Sequence, residues 1–139
     1  TEHGALVVAM AHLDAQEPAL AVQLFRRLDR GRLGQLAMNR IAAALFHARQ
    51  YEAALELEEL AWERHRDSTA AYNAACSLSR LDRIDEGLDW LRRALGAGFD
   101  DASLLETDDD IGALRADPRF AALAALAARA TRARDAQRR

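Results

Sequence analysis

Three small residues stand at one fixed interval, Ala21, Ala54 and Gly87, each 33 positions from the next. Each is followed by an aliphatic side chain: Val22, Leu55 and Leu88. Three positions upstream lie Pro18, Tyr51 and Ile84, and seven positions downstream lie Leu28, Ala61 and Ala94. A period of this length, with helical signals on both sides, restricts the chain to a stack of helix-turn-helix units. One such pair cannot bury its own apolar stripe, so neighbours must cover it. A small residue lets two helices approach closely.

The composition agrees. Alanine is abundant, proline occurs only at Pro18 and Pro118, and β-branched residues are few, which favours helix over sheet. With 139 residues the chain is long enough for one domain with its own core. All 19 basic residues are arginine, which excludes a Schiff-base lysine and a phosphate-loop lysine. The net charge of −3, with both signs interspersed, does not suggest a nucleic-acid face. Cys76 is the single cysteine, so no intrachain disulfide is available. The lone thiol favours a cytoplasmic setting. No apolar run approaches the roughly 20 residues of a membrane span, and no signal peptide is visible. The chain opens at Thr1 and helical pattern begins almost at once, so a fragment of a larger polypeptide is expected, with loss of an initiator Met or a tag as the alternative.

The pattern predicts a single domain over 1–139, with helix pairs at about 2–31, 35–66 and 69–98 and a capping region at 99–135. In the first pair a turn at Gln16–Glu17 precedes a helix from Pro18 to Arg30, ended by Gly31 and Gly34. In the second, Leu36, Ile41, Leu45 and Ala48 form the apolar stripe of one helix, and Leu55, Ala61 and Trp62 that of the next. The third pair starts with Ser68 or Thr69 as N-cap and ends at Gly96 and Gly98. The last helix is expected from Pro118 to about Asp135, capped by Asp117. Its buried face is expected to hold Phe120, Leu123, Ala127 and Ala130, helped by Leu126.

The segment Tyr72-Asn73-Ala74-Ala75-Cys76-Ser77-Leu78, then Ile84-Asp85-Glu86-Gly87-Leu88 and Leu91, Ala94 and Leu95, resembles the tetratricopeptide repeat (TPR). Gly98-Phe99-Asp100 and Asp117-Pro118-Arg119-Phe120 are similar to the closing elements of bacterial repeat arrays. The resemblance covers about residues 35–125 well and 2–34 weakly. It departs from the family in its 33-residue spacing, in Gly87 where alanine is usual, and in Glu58 where a large apolar residue is usual. It implies an all-α, right-handed α-solenoid of three TPR-like repeats with a C-terminal capping helix, whose first helices line a concave groove. In that register the inward residues are Leu6, Met10 and Leu13, then Asn39, Ala43, Phe46 and His47, then Tyr72, Cys76, Ser79 and Arg80.

The expected function is a non-catalytic module that binds a peptide or helix of a partner protein in this groove. The alternatives are a regulatory or scaffolding domain of a larger enzyme, such as a membrane-associated protease or kinase, and a homo-oligomerisation domain. Members that grip a peptide's C-terminal carboxylate use Lys, Asn and Arg inward. Leu6 and Met10 here argue against that clamp, although Asn39 and Arg80 remain.

Other chemistry is poorly supported by the residues. His3, His12, His47 and His65 lack zinc-site spacing. Cys76 and His47 lack a third group for nucleophilic catalysis. The run Glu106, Asp108, Asp109 and Asp110 lacks the glycine and closing glutamate of a calcium loop and reads as helix capping. Gly96-Ala97-Gly98 reads as a helix terminator, and Trp62 and Trp90 as packing residues. No cofactor, metal, nucleic acid or direct membrane insertion is expected.

Overall fold

A computed structural model describes residues 2–28 and 30–139, which are α-helical with no strand among the described residues. The helices are α1 (Glu2–Asp14), α2 (Pro18–Arg27), α3 (Gln35–His47), α4 (Tyr51–His65), α5 (Ser68–Arg80), α6 (Ile84–Gly96), α7 (Ala102–Thr107), α8 (Gly112–Arg115) and α9 (Phe120–Gln137). Tight 3-10 turns at Arg30–Arg32 and Asp109–Ile111 interrupt the order.

The 33-residue interval is written into the backbone. Gln16, Arg49 and Asp82, spaced by that interval, carry positive φ of 63°, 61° and 57°. Around each, the same two hydrogen bonds close the preceding helix. The amides of Gln16, Arg49 and Asp82 donate to the carbonyls of Leu13, Phe46 and Ser79. The amides of Glu17, Gln50 and Arg83 donate to those of His12, Leu45 and Leu78. This is the Schellman arrangement, which normally places glycine at the left-handed position. Here ordinary side chains occupy it three times, at a cost of about 1–2 kcal/mol each. Glu17, Gln50 and Arg83 then share one backbone conformation and launch α2, α4 and α6. Their carbonyls accept the amides of Ala21, Ala54 and Gly87.

Within each pair the two helices pack on one another, and α4 packs on α5. Ala21 and Ala54 are fully enclosed, and Gly87 is buried. Two apolar clusters result. One, under α1–α4, holds Phe25, Met38, Ile41, Leu45 and Leu57. The other, under α5–α9, holds Leu78, Leu91, Leu105, Ile111, Leu114, Phe120 and Leu123. Each large side chain fully buried there contributes roughly 1.5–3 kcal/mol. Phe46 touches both clusters.

The structure corrects several boundaries and burial expectations. α2 stops at Arg27, because the chain turns at Leu28 before the 3-10 turn, short of Arg30. Asp67, not Ser68 or Thr69, caps α5: its carboxylate accepts the Thr69 amide. The last helix begins at Phe120; Pro118 and Arg119 form a turn in which Asp117 accepts the Arg119 amide. Leu36 is 65% exposed, since its position on α3 points away from the buried face of Met38, Ile41 and Leu45. Leu126 is half exposed and Ala130 is exposed, so the buried stripe of α9 is Phe120, Leu123 and Ala127 alone.

Gly87 approaches a partner outside its own pair. A Cβ at this position would lie 2.7 Å from Leu114 Cδ2 in α8. The glycine thus makes room for the capping region. Gly98, with φ of 102°, ends α6. Trp62 and Trp90 meet edge to face at 6.1 Å, with the guanidinium of Arg66 over the first ring and that of Arg93 over the second.

Candidate functional site

A cavity of about 160 Å³ opens between α3, α5 and the turn before α8. Ala43, Phe46 and His47 line it from α3, Tyr72, Asn73 and Cys76 from α5, and Glu58 from α4. Asp108 and Asp110 close it from the capping region. A polar recess beside it adds Arg49, Tyr51 and Arg80.

The cavity brings together five of the inward residues expected from sequence: Ala43, Phe46, His47, Tyr72 and Cys76. Arg80 stands at the neighbouring recess. The other five lie elsewhere. Leu6, Met10 and Leu13 are half-buried and pack on the N-terminal cluster. Leu13 also borders a separate depression near Pro18. Ser79 is buried and lends its carbonyl to the α5 turn. Asn39 donates to Asp67 at 3.1 Å, which occupies its amide.

Tyr72 and Cys76 are deeper than a groove residue needs to be, each 4% exposed. The Tyr72 ring stacks on Phe99 at 4.2 Å, nearly parallel. Its hydroxyl donates to Asp108 Oδ2 at 2.5 Å. Burial first, then the neighbouring Cys76 and Asp108, hold this phenol protonated. Burial first, then the charges of Asp108, Asp110 and Glu58, push the Cys76 thiol up. A reactive cysteine requires the opposite environment.

The acidic turn has two functions. Asp108 Oδ1 accepts the Asp110 amide at 2.9 Å, as a capping aspartate should. Its other oxygen reaches Tyr72. Asp110 Oδ1 accepts both Nε and Nη2 of Arg80, at 3.1 and 2.6 Å. Arg80 is therefore committed to a carboxylate within the chain. Arg115 anchors the turn from beneath, donating to the carbonyls of Leu105 and Asp108.

Glu58 is 3% exposed on the cavity side of α4. Ser77 Oγ donates to its Oε2 at 2.8 Å. Burial raises its carboxyl to about 8, with the Ser77 bond opposing and Glu59 adding. Every fully enclosed side-chain polar atom among the described residues has a partner. The Ser77 bond engages Oε2 alone, and Oε1 opens on the cavity.

Among the described residues no cluster of His, Cys, Asp and Glu is arranged to hold a metal ion. No described helix is long and apolar enough to cross a membrane.

One stretch of the chain resembles a plant protein. It is 38% identical over 53 residues to a chloroplastic protein of Arabidopsis thaliana, covering 38% of this chain and 16% of that protein. The chain thus spans about a sixth of that relative. No family model and no solved structure matches the chain.

Sequence reasoning missed Asp108 and Asp110 as lining residues. The signal was the excess of acid in the run after Leu105, beyond what one short helix start needs. It missed Glu58 as well, although its place in an apolar position was visible.

Proposed function

We propose that the three helix pairs form a right-handed solenoid of TPR-like repeats, closed by α9, and that the chain is a non-catalytic protein-interaction module of the cytoplasm. The repeated turn at Gln16, Arg49 and Asp82 supports the repeat architecture. A segment of a partner protein lies along α3 and α5 and enters the cavity at Phe46. The cavity is the observation that carries this reading: it gathers half-buried Phe46, exposed His47 and buried Tyr72 beside an open recess. Aromatic side chains at a concave site contribute disproportionately to binding.

Selection of displayed random peptides on the intact chain tests the reading. Peptides selected by the parent should lose about 2 kcal/mol of affinity on Phe46→Ala, measured by calorimetry, with helicity unchanged. Equal affinity for the folded variant would remove the cavity from the binding site.

A second reading, self-association, is favoured by Val7, Val8 and Leu36, which are 53%, 49% and 65% exposed. Light scattering across concentration separates it, since a monomer at high concentration excludes it.

A further inference from the structure

We propose that the cavity between α3, α5 and the acidic turn receives the cationic head of a lysine or arginine side chain carried by the bound segment. This deepens the groove reading and rests on it for the source of the side chain.

Three carboxyl groups from two separate parts of the fold line the cavity: Glu58, Asp108 and Asp110. No arginine lines it. Arg80 reaches Asp110 from the recess outside and takes only Oδ1, leaving Oδ2 for another donor. Glu58 Oε1 opens on the same space, while Oε2 is held by Ser77. Phe46 and Tyr72 supply apolar walls for the methylenes of such a side chain. The volume, about 160 Å³, equals roughly five water molecules in the liquid. That suits the end of one long side chain and is too small for a nucleotide. An anion would meet the carboxylates of Asp108 and Asp110.

The arrangement also couples binding to a proton. Burial keeps Glu58 neutral near neutral pH, facing Ser77, Cys76 and Tyr72 on α5, His47 on α3, Asp108 and Asp110 in the turn, and Glu59 on its own helix. A cation placed at Oε1 favours the carboxylate, so the Glu58 proton passes to the buffer as the cation enters.

Nuclear magnetic resonance titration of the intact chain with n-butylammonium and n-butylguanidinium tests the site without any partner, with n-butanol as the neutral isostere. The cations should give saturable shifts at the Ala43, Asn73 and Cys76 amides, and butanol should not. Asp108→Asn and Glu58→Gln should each weaken the cations by roughly tenfold. Arg80→Ala, which frees Asp110, should strengthen them severalfold, more at low salt. Calorimetry in two buffers of different ionisation enthalpy should show proton release for the parent and none for Glu58→Gln. Butanol binding as tightly as butylammonium overturns the proposal. So does unchanged cation affinity in both carboxyl variants with the parental circular dichroism spectrum. If a variant unfolds, the comparison of butylammonium with butanol on the parent decides. Cation binding without any selected peptide overturns the groove reading and leaves the cation site standing. Selected peptides without an enriched basic residue overturn the cation site and leave the groove standing.

Discussion

Ser77 Oγ donates to Glu58 Oε2 at 2.8 Å where α5 packs on α4, and both residues are buried. The pair stands where an apolar contact between neighbouring helix pairs would suffice. A buried hydrogen-bonded acid is tolerated there because it stays protonated.

The titration of Glu58 fixes a sign. Its folded value, about 8, lies above its ordinary value of 4.5. The folded chain therefore binds more protons than the unfolded chain between those values. Stability is fully present below about 4.5 and is lost as pH rises toward 8, with a slope approaching about 1.4 kcal/mol per pH unit from this group. Glu58→Gln keeps an acceptor for Ser77 and does not titrate. Urea midpoints measured from pH 5 to 8.5 should fall more steeply for the parent than for the variant. Parallel profiles would show that Glu58 ionises normally.

Gly87 should tolerate little. Gly87→Leu is expected to cost roughly 1–3 kcal/mol in urea unfolding, because the added side chain meets buried Leu114. In a cycle with Leu114→Ala, the two changes should couple by at least about 0.5 kcal/mol. Additive effects would place the tight contact elsewhere.

Tyr72 is expected to matter for stability as well as binding. Tyr72→Phe keeps the stack on Phe99 and removes the donor to Asp108. Loss of a hydrogen bond to a charged group should cost about 1.5–3 kcal/mol in chemical denaturation. A variant as stable as the parent would mean that water replaces the hydroxyl at no cost.

The left-handed residue Gln16 offers the reverse test. Gln16→Gly should stabilise the chain by up to about 1 kcal/mol, since glycine adopts that conformation without a Cβ penalty. A lower thermal midpoint would show that the Gln16 side chain contributes more than its backbone strain costs.

Much of the helical layout was legible because periodicity is local. The interval linking Ala21, Ala54 and Gly87 located the turns, and Pro18, Tyr51 and Ile84 are the first residues of α2, α4 and α6. The cavity was legible only on its α3 and α5 walls. Asp108 meets Tyr72 across a separation of 36 residues, and nothing local to either residue specifies that contact. The acidic run read as capping, and Asp108 does cap; its second oxygen carries the longer-range contact. Arg80 was read as an inward groove residue, and the carboxylate that engages it comes from the same distant turn. Leu36 and Leu126 failed for another reason: each lies off the buried stripe of its helix, which is Met38, Ile41 and Leu45 in α3 and Phe120, Leu123 and Ala127 in α9.

The recurring left-handed joint marks the chain off like a ruler, at Gln16, Arg49 and Asp82. Each joint is closed by bonds within its own pair, so a duplicated block equivalent to residues 35–67 would carry its own hinge and its own launch point for the next helix. The acidic turn has no such copy. It is contributed once, by the segment between α7 and α8, and it meets Tyr72 and Arg80 of α5. The joints thus recur at a fixed interval, whereas the acidic turn makes one chemically distinct berth beside α5 alone.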